Sequence, residues 1–403
     1  MSKRNVKKAK KIAKKYPKIV IVLVILVLIA AIILGVMYFK KIGPFKEKPD
    51  TPDTLQGELA EISSAEFSVH FLELGNKYTG DSVLIKSGDT EVLIDAGSKV
   101  DSAKTLKSYI DGYCKDGVLE YVIATHAHED HIAGLVGASE NDTKTGILYQ
   151  YKVGTLIEFA GTNKTESDTL YNNYLKAKEY AKGKGATVYT AKQCWYETDG
   201  AKKTYYLDEA QTVSINILYQ RYYDDSTTNE NDYSVCTLLK CVAPDKTYNC
   251  LFTGDLDEKG ETSLATENDL PEVDLFKAGH HGSDTSSNDV LLNKIKPKNI
   301  AVCCCCGSPE YTQNANNTFP KQTAIDRFAK HTQNVYVTTI ATGVAEIVDG
   351  KHVNKKWDGF TSMNGNIVFY LKQGENALKL YCSNNTTILK DTEWFKANRK
   401  WNP

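Results

Sequence analysis

The sequence predicts an α/β protein, an αββα sandwich with its chemistry at one edge where strands end, preceded by one transmembrane helix. Three observations carry this. An uncharged apolar run lies behind a basic N-terminal segment. Strand-like runs fall into two groups with helix-like runs between them, which suits two packed sheets with helices outside. A turn holding three histidines directly follows a buried strand-like run.

The basic segment, residues 1–18, contains Lys3, Arg4, Lys7, Lys8, Lys10, Lys11, Lys14, Lys15 and Lys18. Ile19 to Met37 then gives 19 residues without a charge. As a helix this run spans roughly 28 Å, close to the hydrocarbon thickness of a bilayer. A secretory h-region is usually shorter, and no small-x-small cleavage site follows. Residues 19–39 therefore read as a retained transmembrane helix, with a cleaved signal peptide as the alternative. The basic flank is much heavier before the span than after it, where Lys40 and Lys41 lie. That asymmetry keeps the N-terminus cytoplasmic and makes this a single-pass protein of the cell membrane with its catalytic domain extracellular. Residues 40–64 are polar, carry Pro44, Pro49 and Pro52, and lack a hydrophobic period. They read as a linker.

Charge is divided unevenly. Residues 1–48 sum to +12 in a chain of net −1, leaving −13 on residues 49–403. An acidic outer domain argues against a tight nucleic-acid binder, whose affinity comes largely from cationic contacts to phosphates. It does not exclude nucleic acid, because a local metal pair is strongly positive. The ten cysteines do not form a disulfide-scaffold pattern. Cys303-Cys304-Cys305-Cys306 continues the apolar run Ile300-Ala301-Val302 and reads as buried thiols on a strand. Cys241 and Cys250 flank a hairpin tip and could face each other in a bridge.

Strands are expected at 67–73, 81–87 and 91–95, a helix at 103–112, and a longer helix at 168–183 with Leu170, Tyr174, Ala177 and Tyr180 on one face. Further strands are expected at 211–218, 233–241 and 249–253, helices at 286–295 and 321–330, and late strands at 334–339 and 343–348. Residues 351–403, with strand-like runs at 365–371 and 377–381, read as a C-terminal appendage that the core, residues 65–350, does not require.

The chemistry concentrates in Thr125-His126-Ala127-His128-Glu129-Asp130-His131, after the β-branched run 119–124. Histidines two apart do not share a helix face. On an extended turn, His126 and His128 can bend toward one point, and Asp130 and His131 can serve a second. Imidazole nitrogens and carboxylate oxygens are what zinc-like cations prefer. Three other strand-like runs end in polar motifs: Asp95-Ala96-Gly97, Gly254-Asp255, and Gly279-His280-His281-Gly282-Ser283.

This His-x-His-x-Asp-His motif, with the Asp95 motif before it and the other two after it, resembles the metallo-β-lactamase superfamily of binuclear hydrolases. The His-His-Gly-Ser ending, with Gly80-Asp81-Ser82 upstream, is similar to the branch that includes the extracytoplasmic domain of the competence protein ComEC. The resemblance implies the αββα metallo-β-lactamase sandwich and two divalent metal ions, zinc or alternatively manganese. One ion would be held by His126, His128 and Asp255. The other would be held by Asp130, His131, Asp255 and one histidine of the pair, with His280 favoured and His281 left to contact substrate. Asp130 and His281 are the catalytic assignments.

No histidine lies between His131 and His280, where many relatives place another ligand, so the first ion would have a more open coordination sphere. Asp95 is expected to support the ligands from behind. Asn231 and Ser234 resemble an Asn-x-x-Ser stretch of the same branch and are candidate polar contacts. Ser283 is a candidate phosphate contact. A Tyr-Gly-His-Pro-like segment of that branch is replaced here by Asn317-Thr318-Phe319-Pro320, without the histidine.

The function this implies is a membrane-anchored extracellular metallohydrolase that cleaves phosphodiesters with a metal-bridging hydroxide. The substrate would be nucleic acid or a cell-envelope phosphodiester such as a teichoic acid or a phosphocholine ester. The alternatives are hydrolysis of amides, esters or lactones, and a non-catalytic competence or envelope accessory protein.

Overall fold

Two mixed sheets, each of eight strands among the described residues, stack on one another and enclose the core. The computed structural model describes residues 59–140 and 143–403. The basic segment, the expected span at 19–39 and most of the expected linker lie outside them. Among the described residues no helix is long and apolar enough to cross a membrane.

The first sheet runs Lys379–Cys382, Ile367–Leu371, Phe67–Phe71, Val83–Ser87, Thr90–Ile94, Val118–Ala124, Lys152–Glu158, Thr187–Thr190. The second runs Gly359–Ser362, Val335–Thr342, Ile300–Cys306, Leu275–Lys277, Thr247–Phe252, Cys236–Val242, Val213–Leu218, Thr204–Tyr206. Aromatic side chains meet between the layers: Phe71 lies 6.4 Å from Phe252, Tyr121 5.3 Å from Tyr205, and Tyr336 5.9 Å from Phe369, ring centre to ring centre. The central strands are apolar and buried along their length, as strands covered on both faces must be. Phe67–Phe71 and Ile300–Cys306 have no exposed residue.

Each sheet carries a parallel block. In the first it comprises Thr90–Ile94, Val118–Ala124, Lys152–Glu158 and Thr187–Thr190. In the second it comprises Thr247–Phe252, Leu275–Lys277, Ile300–Cys306 and Val335–Thr342. Helices return the chain between parallel strands, so the carboxyl ends of each block share one edge, the usual position for a site in such sheets. Helix Thr169–Gly183 starts at Asp168, whose carboxylate accepts the Tyr171 N–H. It buries Tyr174, Ala177 and Ala181, while Tyr180 is exposed, so the buried face is turned from the one the spacing suggested.

Three expectations change. Residues 351–403 are built into both sheets. Ile367–Leu371 pairs with Phe67–Phe71, and Gly359–Ser362 pairs with Val335–Thr342. Without the first pairing, a buried strand would leave a row of backbone groups without partners. Cys241 and Cys250 are free and buried like the other cysteines. The hairpin register sets Cys241 opposite Tyr248 and Cys250 opposite Leu239, so the two thiols do not face each other. The late strand expected at 343–348 is reduced to Ile347–Val348, paired with Lys351–His352.

His70 lies wholly buried on Phe67–Phe71, with Nδ1 2.8 Å from the Tyr109 hydroxyl and Nε2 2.7 Å from the Ser68 hydroxyl. Burial, aided by the Lys86 charge, pushes its pKa down to about 3. A depressed folded-state pKa means that the neutral form contributes stability in full above the unfolded value of about 6.5, and that this is lost as pH falls toward the folded value. We predict that His70→Gln flattens the decline in urea midpoint between about pH 6.5 and 3 relative to the parent chain. An unchanged acid slope would show that His70 is not a source of it.

Candidate metal centre

The site assembles from the carboxyl ends of the two parallel blocks. From the first sheet come Asp95, directly after Ile94, and Thr125 to His131, after Ala124. From the second come Asp255, after Phe252, and His280-His281, after Lys277. Backbone in the left-handed region marks the turns: Asp95 has φ 56°, His280 φ 46° and His281 φ 55°. Non-glycine residues there cost energy and persist where the surroundings over-determine them. Gly254 has φ 55°, and a Cβ at that position would sit 2.8 Å from the Ser234 hydroxyl oxygen. Glycine thus lets Asp255 turn back toward the first sheet.

Asp130, His131, Asp255 and His281 each offer one donor atom, and these atoms all lie within 4.8 Å of one another. His281 Nε2 is 3.4 Å from Asp130 Oδ2 and 3.3 Å from Asp255 Oδ2, and His131 Nε2 is 3.1 Å from the same Asp255 oxygen. The other ring nitrogens are committed. His131 Nδ1 donates to Asp95 Oδ2 at 2.7 Å, and His281 Nδ1 donates to the Cys303 carbonyl at 2.9 Å. Both imidazoles therefore point Nε2 at one spot, the arrangement by which proteins orient metal-binding histidines. Asp255 Oδ1 and His281 Nε2 are buried without hydrogen-bond partners. The donor set and these two atoms fit a divalent cation.

Beside this set, His126 Nε2 and His128 Nδ1 approach to 3.1 Å. Burial, with the charge of neighbouring His131, holds His126 well below the ordinary imidazole range, so it stays neutral as a ligand must. Its Nδ1 lies 3.1 Å from the Thr125 hydroxyl and 3.4 Å from that of Ser234. Ser234 also accepts the Asp255 N–H at 3.0 Å, so it ties two site residues together. Asp95 accepts both the N–H and the hydroxyl of Thr125, at 2.8 and 2.7 Å.

Of the histidine pair, the geometry sets His281 rather than the favoured His280 among the other donors. His281 is fully buried and stands among Asp130, His131 and Asp255. His280 is partly exposed, with Nε2 3.8 Å from Asp255 and Nδ1 3.0 Å from the Thr285 hydroxyl, 3.5 Å from Asn231 and 3.6 Å from Asp257. The left-handed turn at both residues throws the second ring inward rather than the first. Ser283 lines the cleft in front of the site, 3.3 Å from Asp284.

Four contributors carried no role in the sequence. Lys277 is a buried ammonium paired with Asp81 and 3.7 Å from Asp255 Oδ1. Asp81 lies 3.1 Å from His281 Nδ1. Burial disfavours the Lys277 charge, but Asp81 and Asp255 outweigh it and raise its pKa. Buried Glu230 accepts the Ala127 N–H at 3.2 Å, the Thr162 hydroxyl at 2.7 Å and the Asn163 N–H at 2.7 Å, which fixes the loop between His126 and His128. Tyr311 donates to Asp130 Oδ2 at 2.8 Å. A lysine inside the otherwise apolar 275–277 run was a visible signal; the loop that holds Tyr311 offered none.

Residues 75–176, which include Asp95 and His126 to His131, match the family model of the metallo-β-lactamase superfamily. That stretch is similar to a metallo-β-lactamase domain. The chain is 26% identical over 239 residues to Recombination protein 2 of Haemophilus influenzae, covering 59% of this chain and 24% of that protein. This supports the resemblance to the ComEC branch. It is also 29% identical over 99 residues to an uncharacterized protein of Methanocaldococcus jannaschii, covering 25% of this chain and 38% of that one. The chain thus spans about a quarter of the first relative's length and under two fifths of the second's. Among solved structures, the metallo-β-lactamase fold protein YhfI of Bacillus subtilis is similar at 11% identity and TM-score 0.35, covering 68% of this chain and 96% of that one. A mutant of the β-hydroxylase CmlA is similar at 11% identity and TM-score 0.37, covering 68% and 52%.

The two members of the histidine pair can be separated by metal content. His281→Ala removes a buried donor and is expected to lower bound metal by about one ion per chain. His280→Ala is expected to keep it. Elemental analysis of the purified variants decides, and the opposite pattern would restore His280 as the ligand.

Proposed function

We propose that this metallo-β-lactamase domain is a metal-dependent phosphodiesterase, anchored in the cell membrane by the 19–39 helix and working outside the cell. One ion would be held by Asp130, His131, Asp255 and His281, and a second by His126 and His128 with Asp255. Bound there, zinc or manganese supplies a polarised water and offsets charge on phosphoryl oxygens.

The observation that carries the phosphodiester reading is the cleft in front of the donors. It has a volume of about 550 Å³ and is lined by Lys99, Lys164 and Lys321 as well as by Glu129, Asp130, Asp284 and Glu310. Three cations around a metal centre suit a phosphorus centre whose ester oxygens are anionic. The recombination protein among the relatives keeps nucleic acid in view as a substrate, beside envelope phosphodiesters.

The chain's own residues then have defined tasks. Asp95 holds the His131 ring by its Nδ1 proton, and Asp81 with the Cys303 carbonyl holds that of His281. Lys277 limits repulsion between Asp81 and Asp255. His280, at the cleft wall, is placed to donate to a substrate oxygen, steadied by Thr285 and Asn231.

The test of function is turnover of bis(p-nitrophenyl) phosphate and DNA by the full chain supplied with zinc or manganese. Asp255→Asn keeps size but removes an anionic donor, and the rate is expected to fall on the order of a hundredfold or more. His331→Ala, outside the residues that line the cleft, is the control. Turnover of amide, ester or lactone substrates with none of phosphodiesters would transfer the site to that chemistry, and no turnover of either would favour an accessory protein.

The anchor has its own test. Protease added to intact cells should cleave beyond Lys41, and protection until lysis would reverse the topology.

A further inference from the structure

Phe319 closes one side of the cleft with carbon. Its ring lies 6.0 Å from that of His280, 5.9 Å from that of His281 and 5.6 Å from that of Tyr311. On that wall, proton-bearing chemistry next to the donors falls to Tyr311. Its ring is half-exposed, yet its hydroxyl reaches into the site and donates to Asp130 Oδ2 at 2.8 Å. Two of the three cleft lysines are paired with carboxylates. Lys99 pairs with Glu129 at 2.6 Å, and Lys321 pairs with Asp284 at 2.7 Å.

The loop that carries Tyr311 is braced from outside. Ala315 donates its N–H to the Gly350 carbonyl at 3.0 Å, and His352 donates to the Gln313 carbonyl at 2.7 Å. Asn314 bridges to Lys351. At the loop's base, Glu310 accepts the Thr79 N–H at 2.9 Å. The phenol is thus presented on a supported turn, and substrate entering the cleft would compete with Asp130 for its hydrogen bond.

We propose that Tyr311 is a catalytic residue that serves the leaving oxygen of the substrate, an inference that rests on the phosphodiester reading above. In the step, the oxygen of water bonds to phosphorus. The ester P–O bond breaks with its electron pair on the leaving oxygen. That oxygen departs as an alcohol carrying the phenolic proton of Tyr311, and the phenol regains one of the water's protons. The poorer the leaving group, the more the step depends on that proton.

The test compares the zinc-loaded full chain with its Tyr311→Phe variant on bis(p-nitrophenyl) phosphate and on glycerophosphoglycerol. The loss is expected to be about threefold for the nitrophenolate leaving group and on the order of a hundredfold for the alcohol. Metal content and melting temperature are expected to stay at the parent values, because Tyr311 is neither a ligand nor buried. Equal losses on both esters, or loss of metal from the variant, would make Tyr311 an orienter of Asp130 and overturn the assignment while leaving the phosphodiester reading intact. If the parent chain turns over neither ester, that reading fails and the assignment falls with it.

Discussion

Asp81, Asp95, Asp130 and Asp255 bring four carboxylates to one sheet edge, and three of them are almost wholly buried. Carboxylates this close repel strongly in a medium of low dielectric. His131, His281 and Lys277 stand among them. Burial opposes the charge on each imidazole, but Asp255 and Asp95 hold His131 well above its ordinary range, and Asp255 and Asp81 do the same for His281. Lys277 adds a third positive group beneath the site, between Asp81 and Asp255.

The backbone is shaped by the same requirement. Side chains from two separate sheets must converge, and parallel strands all run out at that edge. Asp95, His280 and His281 adopt left-handed conformations that only dense local bonding sustains. The bonding is present: Asp95 accepts from Thr125 and His131, and His281 is held by Cys303 and Asp81. Farther back, buried Glu261 accepts the Ser287 and Asn288 N–H groups, each at 2.7 Å, and so anchors the loop that follows the histidine pair. Burial raises its pKa to about 7, so that anchor is itself exposed to protonation near neutral pH.

Much of this was legible because the donors follow apolar strands in short motifs. His126, His128, Asp130, His131 and Asp255 all stand where their motifs put them, at strand ends facing one edge. The pairing partners were harder to see. Which ring of His280-His281 turns inward depends on φ at both residues, and residue type alone does not encode a left-handed histidine. Asp81 and Lys277 meet only when Val83–Ser87 and Leu275–Lys277 are brought together from different sheets. Tyr311 sits in a loop without periodicity, so its approach to Asp130 is a product of tertiary structure alone. The cysteine register failed for a related reason: hairpin pairing is set by the turn, and a one-residue difference in register moves partners to the opposite face.

The C-terminal segment shows how far the site's support extends. Its strand Ile367–Leu371 completes the first sheet, and its last residues reach the cleft wall. Buried Arg399 donates from Nε to the Pro320 carbonyl at 3.1 Å and from a terminal nitrogen to the Thr318 carbonyl at 2.8 Å. Those carbonyls flank Phe319, whose ring packs beside both histidines. Nearby, Trp394 fills the space where a Cβ on Gly307 would lie, 2.5 Å from its indole nitrogen. A guanidinium buried against neutral carbonyls is costly to place, and it is worth placing only where its rigid fork fixes several acceptors at once. Here it fixes the backbone on either side of Phe319. The segment that looked dispensable in sequence thus holds one wall of the cleft in position, and the site depends on chain ends more than 300 residues apart, from Phe67 to Arg399.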